Sequence, residues 1–228
     1  MSKKPHLLLL HGALGAATQF ESLTARLSDQ YSVHTMDFPG HGGKPFPESA
    51  LKMPVLAEHL ADFINEFHLQ GCTVFGFSMG GYAALWLEHN EPGTFGKIIT
   101  LGTKLDWNPD ASEKEAKMLH PQKMQEKIPG YVKQLQERHG EQWSRLCEET
   151  AGMLRHLGLH GMTPLDFSEL ELPVRLMLGD RDQMVSLEET IRVYRELPNG
   201  SLQVFPDTVH LFEKVNVEML EKAIRDFA

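Results

Sequence analysis

The chain has 228 residues, 31 acidic against 22 basic side chains for a formal charge of −9, and an apolar share of 41%. That is enough for one domain with a substantial core, and no stretch nears the roughly 20 apolar residues that cross a bilayer. The acidic balance argues against nucleic acid or an anionic membrane as partner, because such binding rests on clustered Lys and Arg.

The first ten residues, Met1-Ser-Lys-Lys-Pro-His followed by Leu7 to Leu10, superficially resemble a signal peptide. The leucine run is too short for its apolar segment and reads better as a buried strand. Two cysteines, Cys72 and Cys147, are too few for a disulfide-stapled secreted scaffold, so the expected location is cytoplasmic.

Along the chain, buried strands alternate with amphipathic helices. Strands are expected at His6–Leu10, Ser32–Phe38, Cys72–Phe77 and Lys97–Leu101, and helices at Thr18–Ser28, Pro54–His68 and Met79–Asn90. In the second helix Leu56, Leu60, Phe63, Ile64 and Phe67 recur at steps of three and four, one apolar stripe to lay on a sheet. Such alternation implies parallel βαβ units.

Between Trp107 and Leu170 the pattern turns wholly helical, punctuated by Pro109, Pro121, Pro129 and Gly140. The alternation then resumes with a strand at Val174–Leu178, a helix at Leu187–Leu197, a strand at Ser201–Phe205 and a helix from Leu211 to Phe227. An insertion of about 60 residues is longer than an ordinary connection. The expected organisation is therefore a core of residues 1–106 and 170–228 with a helical lid, 107–169, inserted in it.

Three features carry chemistry. Gly76-Phe77-Ser78-Met79-Gly80 lies between a strand and a helix, the sequence form of a tight turn that projects a nucleophilic hydroxyl. His210 follows the last strand, where the carboxyl ends of parallel strands open on one edge, and histidine titrates near neutrality as a general base must. Asp180 and Asp182, after the preceding strand, are both candidates for the carboxylate that orients the base. The order serine, acid, histidine differs from that of chymotrypsin or subtilisin.

Four motifs in one order resemble the α/β-hydrolase superfamily over nearly the whole chain: His11-Gly12-Ala13-Leu14-Gly15, Asp37-Phe38-Pro39-Gly40-His41-Gly42, the serine turn, and Gly179-Asp180-Arg181-Asp182-Gln183-Met184-Val185. The resemblance implies a mostly parallel sheet of about six strands with helices on both faces, shorter by two N-terminal strands than many members. It places the acid on Asp182 and leaves Asp180 a structural part. It implies an oxyanion hole from the backbone N–H groups of Met79 and Ala13. Members usually carry glycine before the histidine, where Val209 stands, which puts the local turn in question.

Leu14, and Trp107 and Met153 of the insertion, are candidate substrate contacts, and Met118, Trp143 and Leu157 are further apolar candidates. His11 reads as a structural residue of the oxyanion loop. A small acyl substrate, no cofactor and no metal are expected. His156-Leu-Gly-Leu-His160 has zinc-like spacing but lacks the glutamate of the zinc-protease motif, and Gly158 weakens the helix. Competing readings are a lyase or carbon–carbon hydrolase of the same fold, similar to the menaquinone-pathway synthase, which would draw on Arg138, Arg145 and Arg155 for a polyanionic substrate, or a non-catalytic ligand-binding member. The oligomeric state is not legible.

Overall fold

The computed structural model describes residues 4–228, so the first three residues of the expected core lie outside the described part. Six strands form one parallel sheet: β1 (His6–Leu10), β2 (Ser32–Met36), β3 (Cys72–Phe77), β4 (Phe95–Leu101), β5 (Val174–Gly179) and β6 (Gly200–Phe205), in the order β2-β1-β3-β4-β5-β6. Side chains alternate across a strand, so neighbouring leucines of β1 enter different cores. Leu8 and Leu10 join Val74, Ile98 and Leu176 on one face. Leu7 and Leu9 join Phe75, Ile99 and Met177 on the other.

Helices cover both faces. α1 (Glu21–Leu27) and, at the end of the chain, α10 (Val217–Arg225) pack with Leu7 and Leu9 through Leu23, Leu27, Leu220 and Ile224. On the opposite face α2 (Met53–Glu66), α3 (Met79–Asn90) and α9 (Leu187–Glu196) pack through Leu56, Leu60, Leu85 and Val193.

Several boundaries differ from expectation for local reasons. β2 stops at Met36 because the Phe38 N–H leaves the ladder and donates to His11 Nε2 at 3.1 Å. The final helix begins at Val217 instead of Leu211: Asn216 Oδ1 accepts the Glu218 and Met219 N–H groups at 3.0 and 3.1 Å, an N-cap that starts the helix there. The expected helix at Thr18–Ser28 splits into a 3₁₀ turn, Ala17–Phe20, and α1.

Between β4 and β5 the chain forms α4 (Pro109–Met118), α5 (Pro121–Lys127), α6 (Pro129–His139), α7 (Trp143–His160) and α8 (Pro164–Ser168). The prolines that punctuated the sequence each open a helix, where a missing N–H costs nothing and the ring presets φ. Leu135, Leu146, Met153 and Leu157 of this insertion are buried in the same cluster as α2 and α3. No helix among the described residues is long and apolar enough to cross a membrane.

Candidate functional site

Ser78 stands at the junction of β3 and α3 with φ 49° and ψ −115°, a strained conformation for a residue with a side chain. Its N–H donates to the Leu101 carbonyl at 2.8 Å, and Thr103 Oγ1 donates to its carbonyl at 2.9 Å. The turn leaves no room for side chains beside it. A Cβ on Gly80 would lie 2.5 Å from the Leu10 carbonyl oxygen, and one on Gly76 would strike the backbone of Gly80 and Gly81.

The other two members arrive from β5 and β6. Ser78 Oγ donates to His210 Nε2 at 3.2 Å, and His210 Nδ1 donates to Asp182 Oδ2 at 2.7 Å. The Asp182 side chain is 2% exposed, and its other oxygen accepts the N–H groups of Met184 and Val185 at 2.8 and 2.9 Å. The carboxylate is thus held on three sides.

Asp180 faces away from the imidazole. Its Oδ1 accepts the Thr208 N–H at 3.1 Å, while the Arg181 N–H donates to the Thr208 carbonyl at 3.1 Å, so the acid loop braces the histidine loop. That loop turns at Asp207, with φ 51°. The positive-φ position therefore lies three residues before His210, which is why Val209 can stand where glycine was expected.

Gly102, just beyond β4, was not singled out from sequence. It has φ 61°, and a Cβ there would lie 3.3 Å from both Asp182 Oδ2 and the His210 ring. Phe77 packs on the same ring with centroids 5.3 Å apart. Only a glycine immediately after a strand hinted at such a close approach.

A cavity of about 470 Å³ opens above Ser78, within the usual size for a small-molecule site. Ala13, Leu14, Ser78, Met79 and His210 line it from the core, and Trp107 and Met153 from the insertion. Asp182 lies behind His210 and does not reach it. Met118 and Leu157 also face it, whereas Trp143 packs elsewhere against the core. Sequence reading missed Tyr82, Lys104, Glu115, Met124 and Tyr131, which line it as well. Lys104 lies in the segment between β4 and α4, the other four sit on helices whose rotation is set by packing, and no local motif marks any of them.

Most of the lining is apolar, and its two basic side chains, Lys104 and Arg138, are matched. Lys104 Nζ lies 3.4 Å from Glu189, and Arg138 donates to Glu213 at 2.8 Å. Burial raises the carboxyl of Glu115 above the usual range. Of the three arginines considered for a polyanionic substrate, only Arg138 reaches the cavity. Arg145 lies over the Phe46 ring at 4.1 Å, and Arg155 pairs with Glu113 at 2.7 Å.

His11 is fully buried, donates from Nδ1 to the Gly12 carbonyl at 2.8 Å and accepts from Phe38 at Nε2. Burial lowers it from 6.5 to about 4, so it stays neutral and acts as a fixed link between two loops. His156 and His160 stack on each other with centroids 4.5 Å apart. Among the described residues no group of three or more His, Cys, Asp or Glu side chains is placed to hold a metal ion.

Residues 5–120, just over half of the chain, match the family model for the alpha/beta hydrolase fold. The chain belongs to the alpha/beta hydrolase family. Along 97% of its length it is 21% identical to the uncharacterised hydrolase YugF of Bacillus subtilis, 89% of which is covered. It is 32% identical to the pimeloyl-[acyl-carrier protein] methyl ester esterase of Aeromonas hydrophila, over 43% of this chain but only 38% of that protein. The crystal structure of NosK from Streptomyces actuosus superimposes with a TM-score of 0.84 at 19% identity, covering 99% of this chain and 97% of NosK. That likeness concerns the fold. The family match ends before Asp182 and His210, so those residues rest on the geometry above.

Proposed function

We propose that the protein is a serine hydrolase that cleaves an ester, thioester or related small acyl substrate through an acyl-enzyme. The observation that carries this reading is the hydrogen-bond chain from Ser78 Oγ through His210 to Asp182, opening on an apolar cavity. The esterase named among its relatives supports the reaction class.

In this mechanism His210 Nε2 takes the hydroxyl proton as Ser78 Oγ attacks the carbonyl carbon. The oxyanion receives the N–H groups of Ala13 and Met79, which line the cavity beside Ser78 and make no other hydrogen bond among the described residues. Asp182 remains ionised and holds the imidazolium. The tetrahedral species collapses, and the departing alcohol or thiol takes the proton back from His210. Water, deprotonated by His210, then attacks the acyl carbon and releases the acid. The chemistry needs no cofactor.

The insertion serves as a lid whose apolar face receives the acyl chain. A polyanionic substrate, as the lyase alternative requires, would meet only cations already matched by Glu189 and Glu213.

Labelling by a fluorophosphonate tests the reading. The folded protein should be modified at Ser78, and Ser78→Ala should not react; a folded parent that resists labelling would sink the assignment. A series of p-nitrophenyl esters of increasing chain length, beside acyl-CoA thioesters, would then define the acyl group.

A further inference from the structure

The turn that carries Ala13 is held from the insertion as well as from the core. Gly12–Gly15 closes through the Gly15 N–H to the Gly12 carbonyl at 3.0 Å, and its third residue, Leu14, has φ 57°. A type II turn needs that positive φ, and glycine normally supplies it. A leucine there is strained and persists only where its surroundings over-determine it.

Those surroundings are explicit. The Gly12 carbonyl also accepts from His11 Nδ1 at 2.8 Å, and because the peptide is planar and trans, anchoring its oxygen aims the Ala13 N–H the opposite way. The Leu14 N–H donates to His41 Nε2 at 3.3 Å. The Leu14 carbonyl accepts two donors from the end of α6, Arg138 Nη1 at 3.0 Å and His139 Nε2 at 2.9 Å.

Both donors are themselves fixed. His139, 3% exposed, accepts the Gly42 N–H at Nδ1, 3.1 Å away, which leaves the proton on Nε2 for Leu14. Burial lowers its basicity and keeps the ring neutral, as that arrangement requires. Arg138 is anchored by Glu213, which also receives Gln19 Nε2 at 2.7 Å, and Gln19 Oε1 accepts the Ala16 N–H at 2.9 Å.

We propose that Arg138 and His139 are positioning residues for the acyl-transfer step: by grasping the Leu14 carbonyl they hold the Gly12–Gly15 turn so that the Ala13 N–H meets the oxyanion, and the oxyanion site is complete only while the insertion is seated. The inference rests on the acyl-enzyme chemistry proposed above. It makes the insertion part of the machinery that sets rate, beyond its part in shaping the cavity.

The test compares fluorophosphonate labelling rates and p-nitrophenyl acetate kinetics, the acetyl group being too short to read the apolar lining. An unlabelled parent would remove the acyl-enzyme reading and this inference with it. With the parent labelled, His139→Ala should slow both labelling and kcat about tenfold, part of the 100- to 1000-fold that one oxyanion donor is worth, with KM changed by less than about twofold. His139→Gln, whose amide can donate to the same carbonyl, should recover most of the rate.

Arg138→Met, on the partner with a side chain 15% exposed, should lose about threefold and provides a readout if His139→Ala does not fold. Leu135→Ala removes a fully buried contact from the same helix without touching the turn, so it should lower Tm yet label at the parent's rate. Parental labelling rates in both His139→Ala and Arg138→Met, or equal slowing by Leu135→Ala, would overturn the proposal.

Discussion

The floor and the roof of the cavity are built on different principles. Around Ser78 directions are prescribed: a strained serine, two loop carboxylates and buried histidines with both ring nitrogens engaged. In the roof, Trp107 Nε1 and Thr150 Oγ1 are buried without a hydrogen-bond partner among the described residues, although both residues line the cavity. The floor must hold atoms at set angles, so it spends hydrogen bonds on its own backbone. The roof must match a shape, so it lines the cavity with Met, Leu and Trp side chains.

By that contrast, substitutions in the floor should act on chemistry and those in the roof on selectivity. The largest expected effect is in the floor. Ser78→Ala should reduce kcat/KM by about 10⁴-fold or more, and adding Asp182→Asn should cost little further, because residues that act as a unit lose activity together. Additive losses, measured in the double variant, would break the picture of one unit.

Acid should weaken the floor next. His11 has a folded-state value of about 4 against 6.5 when unfolded, so the unfolded chain binds its proton first as pH falls. Stability is fully present above about 6.5, is lost progressively down to about 4, and amounts to about 3 kcal/mol from this residue. His41, buried beside it and lowered well below its usual value, adds in the same direction. Urea midpoints that are flat between pH 7 and 4.5 would contradict this.

Smaller effects belong to the roof and its joint. Met153→Trp should fill part of the cavity and lower kcat/KM for an octanoyl ester about tenfold while leaving acetyl esters near parental, a difference of about 1.4 kcal/mol. Equal losses on both esters would mean that the roof also sets the chemistry. At the joint, Tyr82 Oη accepts the Met162 N–H at 2.7 Å, tying α3 to the end of the insertion. Tyr82→Phe leaves that buried donor unpaired and should cost about 1 kcal/mol in chemical denaturation, with esterase kcat nearly unchanged.

Much of the floor could be read from residues close together in the chain. The serine turn announces itself because only glycine fits at positions 76, 80 and 81, and strand residues such as Leu7 to Leu10 have no other use for four consecutive leucines. The six parallel strands and the helical insertion likewise follow from periodicity. Asp182 was separable from Asp180 only through resemblance. The structure separates them by the direction of each side chain, one toward His210 and the other toward Thr208.

The sequence alone therefore determined the sheet and the helix–strand alternation, and it singled out the serine, the histidine and the acidic loop that the structure joins by hydrogen bonds, because local backbone geometry restricts which residue types those turns accept. Tertiary structure decided the rest: which faces of the inserted helices line the cavity, the close approach at Gly102, and the convergence of Arg138 and His139 on the Leu14 carbonyl, more than 120 positions away. These depend on how helices rotate and dock, which is settled by packing between distant segments and leaves no spacing to read along the chain.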